Sequence, residues 1–103
     1  MTELDRVIHE PVRLRIAMVL SGLEEADFNF LLTALDLSRG NLSSHMSKLE
    51  EAGYVEIDKR FLGKLPHTTY RLTEAGRAAL EAYWAGLEEI RKLAEDVKER
   101  ETG

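Results

Sequence analysis

The stretch LSRGNLSSHMSKLEEAGYV, residues 37–55, decides the fold. Ser38 is a residue type that caps helix N-termini, and Gly53 is a residue type that ends helices. Between them, three apolar residues recur at spacings of four and three: Leu42, Met46 and Leu49. This spacing predicts a helix with one narrow apolar stripe and an otherwise small, polar surface.

A second predicted helix directly precedes this one. Asp27 can cap it, and its apolar residues share one helical face: Phe28, Leu31, Leu32 and Leu35. The periodicity breaks over residues 36–39, immediately before the next helix begins. Two helices joined by so short a turn are typical of a helix-turn-helix.

Pro11 suits the first position of an earlier helix, which we expect to run to about Leu23. Arg13 and Arg15 are predicted to lie largely outside its apolar stripe, which contains Val12, Ile16, Val19, Leu20 and Leu23. A further short helix is predicted nearer the N-terminus from Leu4, Val7 and Ile8.

After Gly53 the apolar period changes from helical to two, which predicts a two-stranded β-hairpin. The alternating apolar residues are Val55, Ile57, Tyr70 and Leu72. Residues 60–67 between them are expected to be too long for a tight turn, with Gly63 and Pro66 supplying loop conformations. Lys59, Arg60 and Lys64 are predicted to cluster at the tip, and a basic hairpin after a helix-turn-helix forms a wing.

Thr73 can cap a last helix of roughly 25 residues, about 38 Å long at 1.5 Å per residue. Alternating spacings of three and four predict a coiled-coil seam formed by Leu80, Tyr83, Leu87, Ile90, Ala94 and Val97, with Trp84 and Leu93 flanking it. A second copy of the chain could bury this seam. Packing on the chain's own domain is an equal alternative up to Leu87, whereas self-association is the better account beyond Ile90.

These elements predict a mostly helical α+β fold: one winged helix-turn-helix domain over residues 1–103, with its core in about 4–73 and a C-terminal dimerisation helix in about 74–99. The 103 residues are 44% hydrophobic and 32% charged, as expected for a globular protein. Cysteine is absent, which excludes disulfides and thiolate metal sites. We expect no cofactor, no metal and no membrane span, and a cytoplasmic location.

The charge is unevenly distributed along the chain. Residues 1–37 carry −4, residues 38–71 carry +2 and residues 72–103 carry −3, within a net charge of −5. Only the segment holding the second helix of the pair and the hairpin is positive, and a positive footprint is what a polyanionic partner requires.

The polar face of the Ser38 helix suits the major groove of DNA, because it combines small side chains with hydrogen-bonding groups and almost no acids. Arg39 and Asn41 are the candidates for base-edge contacts. His45 lies near the edge of the apolar stripe, where donation to a phosphate and simple packing are equal alternatives. The predicted DNA-binding residues are Ser38, Arg39, Asn41, Ser43, Ser44, His45, Ser47, Lys48, Lys59, Arg60, Lys64, His67 and Thr68.

Four segments resemble the MarR/ArsR-type winged-helix regulators: residues 9–16, HEPVRLRI; residues 37–49; residues 50–55, EEAGYV; and residues 69–77, TYRLTEAGR. The resemblance implies that residues 39–48 form the recognition helix, that residues 59–64 form the wing and that the helix from Thr73 dimerises. The sequence departs from the family in lacking the cysteine motif of metal sensors and in having a short N-terminal segment.

The expected function is therefore sequence-specific binding of double-stranded DNA by a homodimeric transcriptional regulator, with a palindromic operator and repression as its mode of action. A crevice near Tyr83 and Trp84 could accept a small-molecule effector, although aromatic residues at helical spacing are more often core. The alternative is a winged-helix protein–protein interaction module without DNA binding, favoured by the acidic total and by Phe61, Leu62 and Leu65. An enzyme is not expected, because the three histidines fall on separate predicted elements.

Overall fold

The computed structural model describes residues 3–102. Seven elements follow one another along the chain: helix α1 Pro11–Ser21, strand β1 Ala26–Asp27, helix α2 Phe28–Leu35, helix α3 Arg39–Glu51, strand β2 Val55–Leu62, strand β3 Leu65–Leu72 and helix α4 Glu74–Thr102. The mostly helical α+β fold predicted from the sequence is confirmed.

The residues before α1 form a single turn, so the short helix predicted there is wrong. Asp5 caps this turn by accepting from the backbone N–H groups of Val7 and Ile8 at 2.8 and 3.0 Å. Glu10 then adopts an extended backbone, with φ −152° and ψ 131°. The residue before a proline disfavours the helical region, so Pro11 prevents the turn from continuing into α1. At its other end α1 stops at Ser21, two residues before the predicted end, with Gly22 as its C-cap.

The helix pair α2 and α3 has the predicted caps. The Asp27 carboxylate accepts from the backbone N–H of Phe30 at 2.7 Å, and the Ser38 hydroxyl accepts from that of Asn41 at 3.1 Å. Gly53 ends α3 with φ +80°, a conformation that favours glycine. The N–H of Tyr54 then reaches back to the carbonyl of Leu49 at 2.9 Å, which closes the end of the helix.

The sheet has three antiparallel strands in the order β1-β3-β2, of which the sequence pattern predicted only the β2–β3 hairpin. β1 is two residues long, too short to show alternation, and it pairs Ala26 with Tyr70. The predicted long hairpin loop is also wrong, because Leu62 pairs with Leu65 and only Gly63 and Lys64 form the turn. Of the three basic residues predicted to cluster at the hairpin tip, only Lys64 lies in this turn. Lys59 and Arg60 are inside β2.

Pro66 lies within β3 opposite Phe61 and does not end the strand. The pair that closes a two-residue turn is hydrogen-bonded, so the next pair along the antiparallel ladder is not. A proline in that next pair forfeits no hydrogen bond to β2. This allows the hairpin to remain regular almost to its end.

The core lies where α1, α2, α3, the base of the hairpin and the first turns of α4 meet. Its fully buried members are Ile8, Ile16, Leu20, Leu31, Leu42, Met46 and Leu49. α4 is 29 residues long, about 43 Å at 1.5 Å per residue, and all its described side chains from Glu88 onward are exposed. Across residues 3–102 the structure contains no helix long and apolar enough to cross a membrane.

Candidate nucleic-acid interface

The exposed face of α3 carries the polar residues that the helical period placed there. Leu42, Met46 and Leu49 are buried at 0–1% exposure, and this fixes the orientation of the opposite face. That face is open to solvent along the whole helix and presents Arg39, Gly40, Asn41, Ser43, Ser44, Ser47 and Lys48. The first turn of a helix leaves backbone N–H groups without a partner inside the helix, and in α3 the Ser38 cap takes only that of Asn41.

An open groove of about 530 Å³ joins this face to the hairpin and to the start of α2. Six of the residues predicted to bind DNA line it together: Arg39, Ser43, Ser47, Lys59, His67 and Thr68. They come from α3 and from both strands of the hairpin, and the fold brings them to one surface. The groove floor is the edge of the core, where Met46, Ile57 and Tyr70 lie.

Arg39 is held over the groove by an aromatic ring. Its guanidinium carbon is 5.5 Å from the centroid of the Phe28 ring, within the range of a cation–π interaction. Phe28 is itself half-buried, with its ring centroid 6.3 Å from that of Tyr70. This packing leaves the charged end of Arg39 exposed and reduces the conformational freedom that it would lose on binding a ligand.

The two faces of the hairpin differ in charge. Among the described residues, the groove side is lined by Arg39 and Lys59 and by a single acid, Asp27, whose carboxylate is used as the α2 cap. The opposite side is lined by four acids and two arginines: Glu25, Glu50, Glu56, Asp58, Arg60 and Arg71. A polyanion therefore meets a favourable surface only from the groove side.

The family model for a winged-helix DNA-binding domain matches residues 12–91 of the chain. The chain belongs to the winged-helix DNA-binding domain family. It is 36% identical to an uncharacterised protein of Methanocaldococcus jannaschii over 90% of this chain and 98% of that one. By family, this winged-helix protein is a DNA-binding protein.

Two solved structures place the fold among transcriptional regulators. A transcriptional regulator homologue from Pyrococcus horikoshii OT3 has a TM-score of 0.78 and 30% identity, covering 85% of this chain and 87% of that one. A MarR-family regulator from Enterococcus faecalis V583 has a TM-score of 0.71 and 21% identity, covering 90% and 84% of the two chains. Family and fold are those of transcriptional regulators, so the chain is a DNA-binding regulator and not an enzyme, and the resemblance to winged-helix regulators is confirmed.

The other predicted contact residues do not line the groove. Asn41, Ser44 and Lys48 are exposed on α3, and Lys64 is exposed in the wing turn. Ser38 is exposed, but its hydroxyl accepts the capping hydrogen bond. Arg60 is paired with Asp58 on the side of the wing away from Lys59, and exposed pairs of this kind contribute little to stability.

His45 faces α1. Its Nδ1 is 3.1 Å from a guanidinium nitrogen of Arg13 and 3.5 Å from a carboxylate oxygen of Glu10. Burial alone would raise the pKa of Glu10, but backbone N–H groups of Arg13 and Val12 and the nearby charges lower it overall. The structure places the His45 side chain in contact with α1, half-buried at the edge of α3.

Arg13 was expected largely outside the buried stripe, and this is wrong. Its side chain is 13% exposed, and its Nε donates to the carbonyl of Val7 at 2.7 Å. Because its guanidinium also meets His45, Arg13 links the N-terminal turn to α3.

The N-terminal turn is further held by two side-chain hydrogen bonds. The Tyr54 hydroxyl donates to Asp5, and this bond, with burial and the charge of Asp5, raises the pKa of Tyr54 to about 12. His9 Nδ1 lies 2.9 Å from the hydroxyl of Tyr83. These contacts connect the turn to the end of α3 and to α4.

The groove is also lined by residues that were not predicted as contacts, and two of them, Asn29 and Phe28, bear on binding. Asn29 lies exposed in the first turn of α2 and lines the groove, and Phe28 positions Arg39. The first helix of a helix-turn-helix crosses the DNA backbone, so the location of Asn29 at the start of that helix is the signal that could have identified it.

Within residues 3–102 the structure contains no cluster of three or more histidine, aspartate or glutamate side chains that could hold a metal ion.

Proposed function

We propose that this protein is a sequence-specific transcriptional regulator that inserts α3 into the major groove of double-stranded DNA and lays the wing along the backbone towards the adjacent minor groove. The observation that carries the proposal is the shared groove. Arg39, Ser43 and Ser47 of α3 meet Lys59, His67 and Thr68 of the wing on one surface. A helix face alone is often merely solvated, whereas a polar helix face continuous with a basic hairpin matches the shape of a duplex.

Each residue type suits one part of the duplex. Arg39 can donate two hydrogen bonds to guanine, and Asn41 can pair with adenine in the same bidentate way. Lys48, Lys59 and the N–H groups at the start of α3 can contact phosphates, which set position without reading sequence. Asn29 adds a polar contact from α2 on the same side of the groove. Arg39 and Asn41 therefore carry the sequence preference in this proposal.

We infer that two copies bind together through α4. Past the domain core the helix exposes large apolar residues at heptad spacing, among them Ile90 at 40% and Val97 at 51% exposure, with Leu93 beside them. Leu80 and Tyr83, predicted for the same seam, are buried in the chain's own core at 5% exposure. The part of the seam open to a second copy therefore begins near Leu87, which is half-buried.

A two-fold dimer would bind an imperfect palindrome, with half-sites about 10–10.5 base pairs apart or at multiples of that spacing. Occupying such a site would exclude other proteins from it, which makes repression the proposed mode of action. The cytoplasmic location predicted from the sequence stays a prediction.

A small-molecule effector stays a prediction as well. The structure has a shallow depression between the N-terminal turn and α4, lined by Asp5, Val7, Tyr54, Ala79 and Tyr83. Two hydroxyls there already have protein partners, since Tyr83 contacts His9 and Tyr54 contacts Asp5. An effector that bonds to these hydroxyls would have to replace the contacts of Tyr83 with His9 and of Tyr54 with Asp5.

The test is selection of bound duplexes from a random-sequence library by the purified protein. We expect enrichment of an imperfect palindrome. The same selection with Arg39→Ala should relax the preference at one position in each half-site, because a bidentate contact contributes about 1–3 kcal/mol of discrimination. Met18→Ala, at an exposed position on α1 outside the groove, is the control and should select the same sequence as the wild type. Failure to enrich any sequence would contradict the proposal.

A further inference from the structure

The wing ends in an apolar cluster that phosphate contact does not require. Phe61 is 71% exposed, Leu62 57% and Leu65 72%, and Pro66 beside them is exposed too. We call these four residues the apolar wing tip. Contact with phosphates needs only cations and hydrogen-bond donors. Several large apolar side chains close together in water therefore indicate a surface that is covered when the protein acts.

The strand register divides the apolar wing tip into two faces. Side chains alternate along a strand, so Phe61 shares its face with Lys59, Ile57 and the buried Val55. Pro66 lies opposite Phe61 in the register. Lys59 and Pro66 line the groove beside α3. Phe61 therefore continues the groove side of the hairpin outward, past Lys59 towards the turn.

Cations surround the apolar wing tip. Lys64 occupies the turn between Leu62 and Leu65, and Lys59 precedes Phe61 by two residues. An apolar end between cations suits the minor groove, where sugar edges and stacked bases lie between two rows of phosphates. It suits an uncharged apolar partner poorly, because burying such a surface would strip water from the lysines.

We propose that the apolar wing tip enters the minor groove and that Phe61 wedges between two stacked base pairs and bends the duplex. This inference rests on the proposed function, since it needs the duplex that α3 holds. The minor groove is only about 6 Å wide in B-form DNA, so a two-stranded ribbon enters it only if the groove widens. Inserted apolar side chains widen it by partly unstacking one step and kinking the duplex.

The experiment uses the full-length protein and a duplex obtained by selection from random sequence. The adenine analogue 2-aminopurine, whose fluorescence rises when it unstacks, is placed in turn at each position within reach of the wing. We expect a several-fold rise at one step in each half-site with the wild type. Phe61→Ala should abolish the rise and weaken binding by about tenfold, the scale of burying one large apolar side chain. Its salt dependence should match that of the wild type, because the phosphate contacts are unchanged.

Two variants complete the test. Leu65→Ala, on the opposite face of the wing tip, should weaken binding while leaving the fluorescence rise in place, and Met18→Ala should change neither. If a duplex is selected but no position unstacks, and Phe61→Ala binds as tightly as the wild type, the wedge is wrong while DNA binding stands. If no duplex is selected at all, the proposed function fails and the wedge fails with it.

Discussion

The carbonyl oxygen of Tyr54 occupies the space that a side chain at residue 76 would need: a Cβ atom built on Gly76 would lie 2.2 Å from it. The same carbonyl accepts the N–H of Thr73 at 2.9 Å. The first turn of α4 therefore packs directly on the backbone that joins α3 to β2. We expect Gly76→Ala to lower the free energy of unfolding by about 2 kcal/mol, the scale of overpacking a tight contact. Equilibrium unfolding in urea measures this change in the free energy of unfolding.

Gly40→Ala is the matched control for this substitution. Gly40 is in the first turn of α3, and a Cβ built there meets no atom within 4 Å. Alanine should stabilise the helix at this position by up to about 1 kcal/mol, through its higher helix propensity. Equal effects of the two substitutions would mean that the contact between Gly76 and Tyr54 is not tight.

The hydrogen bond from Tyr54 to Asp5 predicts a pH dependence of stability at both ends of the scale. The pKa of Tyr54 is raised from 10.0 to about 12, so its stabilisation is complete below pH 10 and is lost as the pH rises through 12. Burial would raise the pKa of Asp5, but hydrogen bonds from Tyr54 and the backbone lower it from 3.8. The stabilisation from Asp5 is therefore present above this value and is lost as the pH falls below it.

Ultraviolet absorbance of tyrosinate tests the alkaline part of this prediction. Subtracting the titration of Tyr54→Phe from that of the wild type isolates Tyr54. In the Asp5→Asn background the pKa of Tyr54 should fall back towards 10, because the charge of Asp5 is gone. Identical curves with and without Asp5→Asn would show that the bond does not form in solution.

The exposed part of α4 predicts self-association. Ile90→Glu combined with Val97→Glu places two charges on the apolar seam and should convert a dimer at micromolar concentration into a monomer, measured by sedimentation velocity. The affinity for the palindrome should fall when the dimer dissociates, because the two recognition helices would no longer be linked.

The control for the seam uses the opposite side of the same helix. Ala78 and Ala85 are exposed and lie more than 100° away from the seam by the helical period. Ala78→Glu combined with Ala85→Glu adds the same two charges and should leave the dimer intact. A wild-type protein that sediments as a monomer would contradict self-association.

The local parts of the fold were predictable because they depend on neighbours in sequence. The caps Asp27, Ser38 and Thr73 each accept from an N–H three residues on, and short-range chemistry of this kind is visible in a sequence. The apolar stripe of α3 was predictable for the same reason. These features located the helix-turn-helix and the polar face of α3.

What could not be predicted depends on distant contacts. Arg13 is half-buried beside His45, which is 32 residues away, and no local pattern reports that pairing. β1 exists because β3 offers an edge to Ala26 and Asp27. The wing turn was predicted too long because Pro66 favours a loop in isolation, whereas its place in the ladder costs no hydrogen bond. The cation–π contact of Arg39 likewise needs the packed pair of helices.

The most direct test of the account is binding to mixed-sequence duplex DNA over a series of salt concentrations. Affinity should fall linearly on a double-logarithmic plot, with a slope of about −0.9 for each phosphate contacted. Lys59→Ala combined with Lys64→Ala should make the slope shallower. Lys92→Ala combined with Lys98→Ala, which removes the same charge from α4, should leave it unchanged. Binding that is absent, insensitive to salt or equally weakened by both pairs would contradict DNA recognition by α3 and the wing.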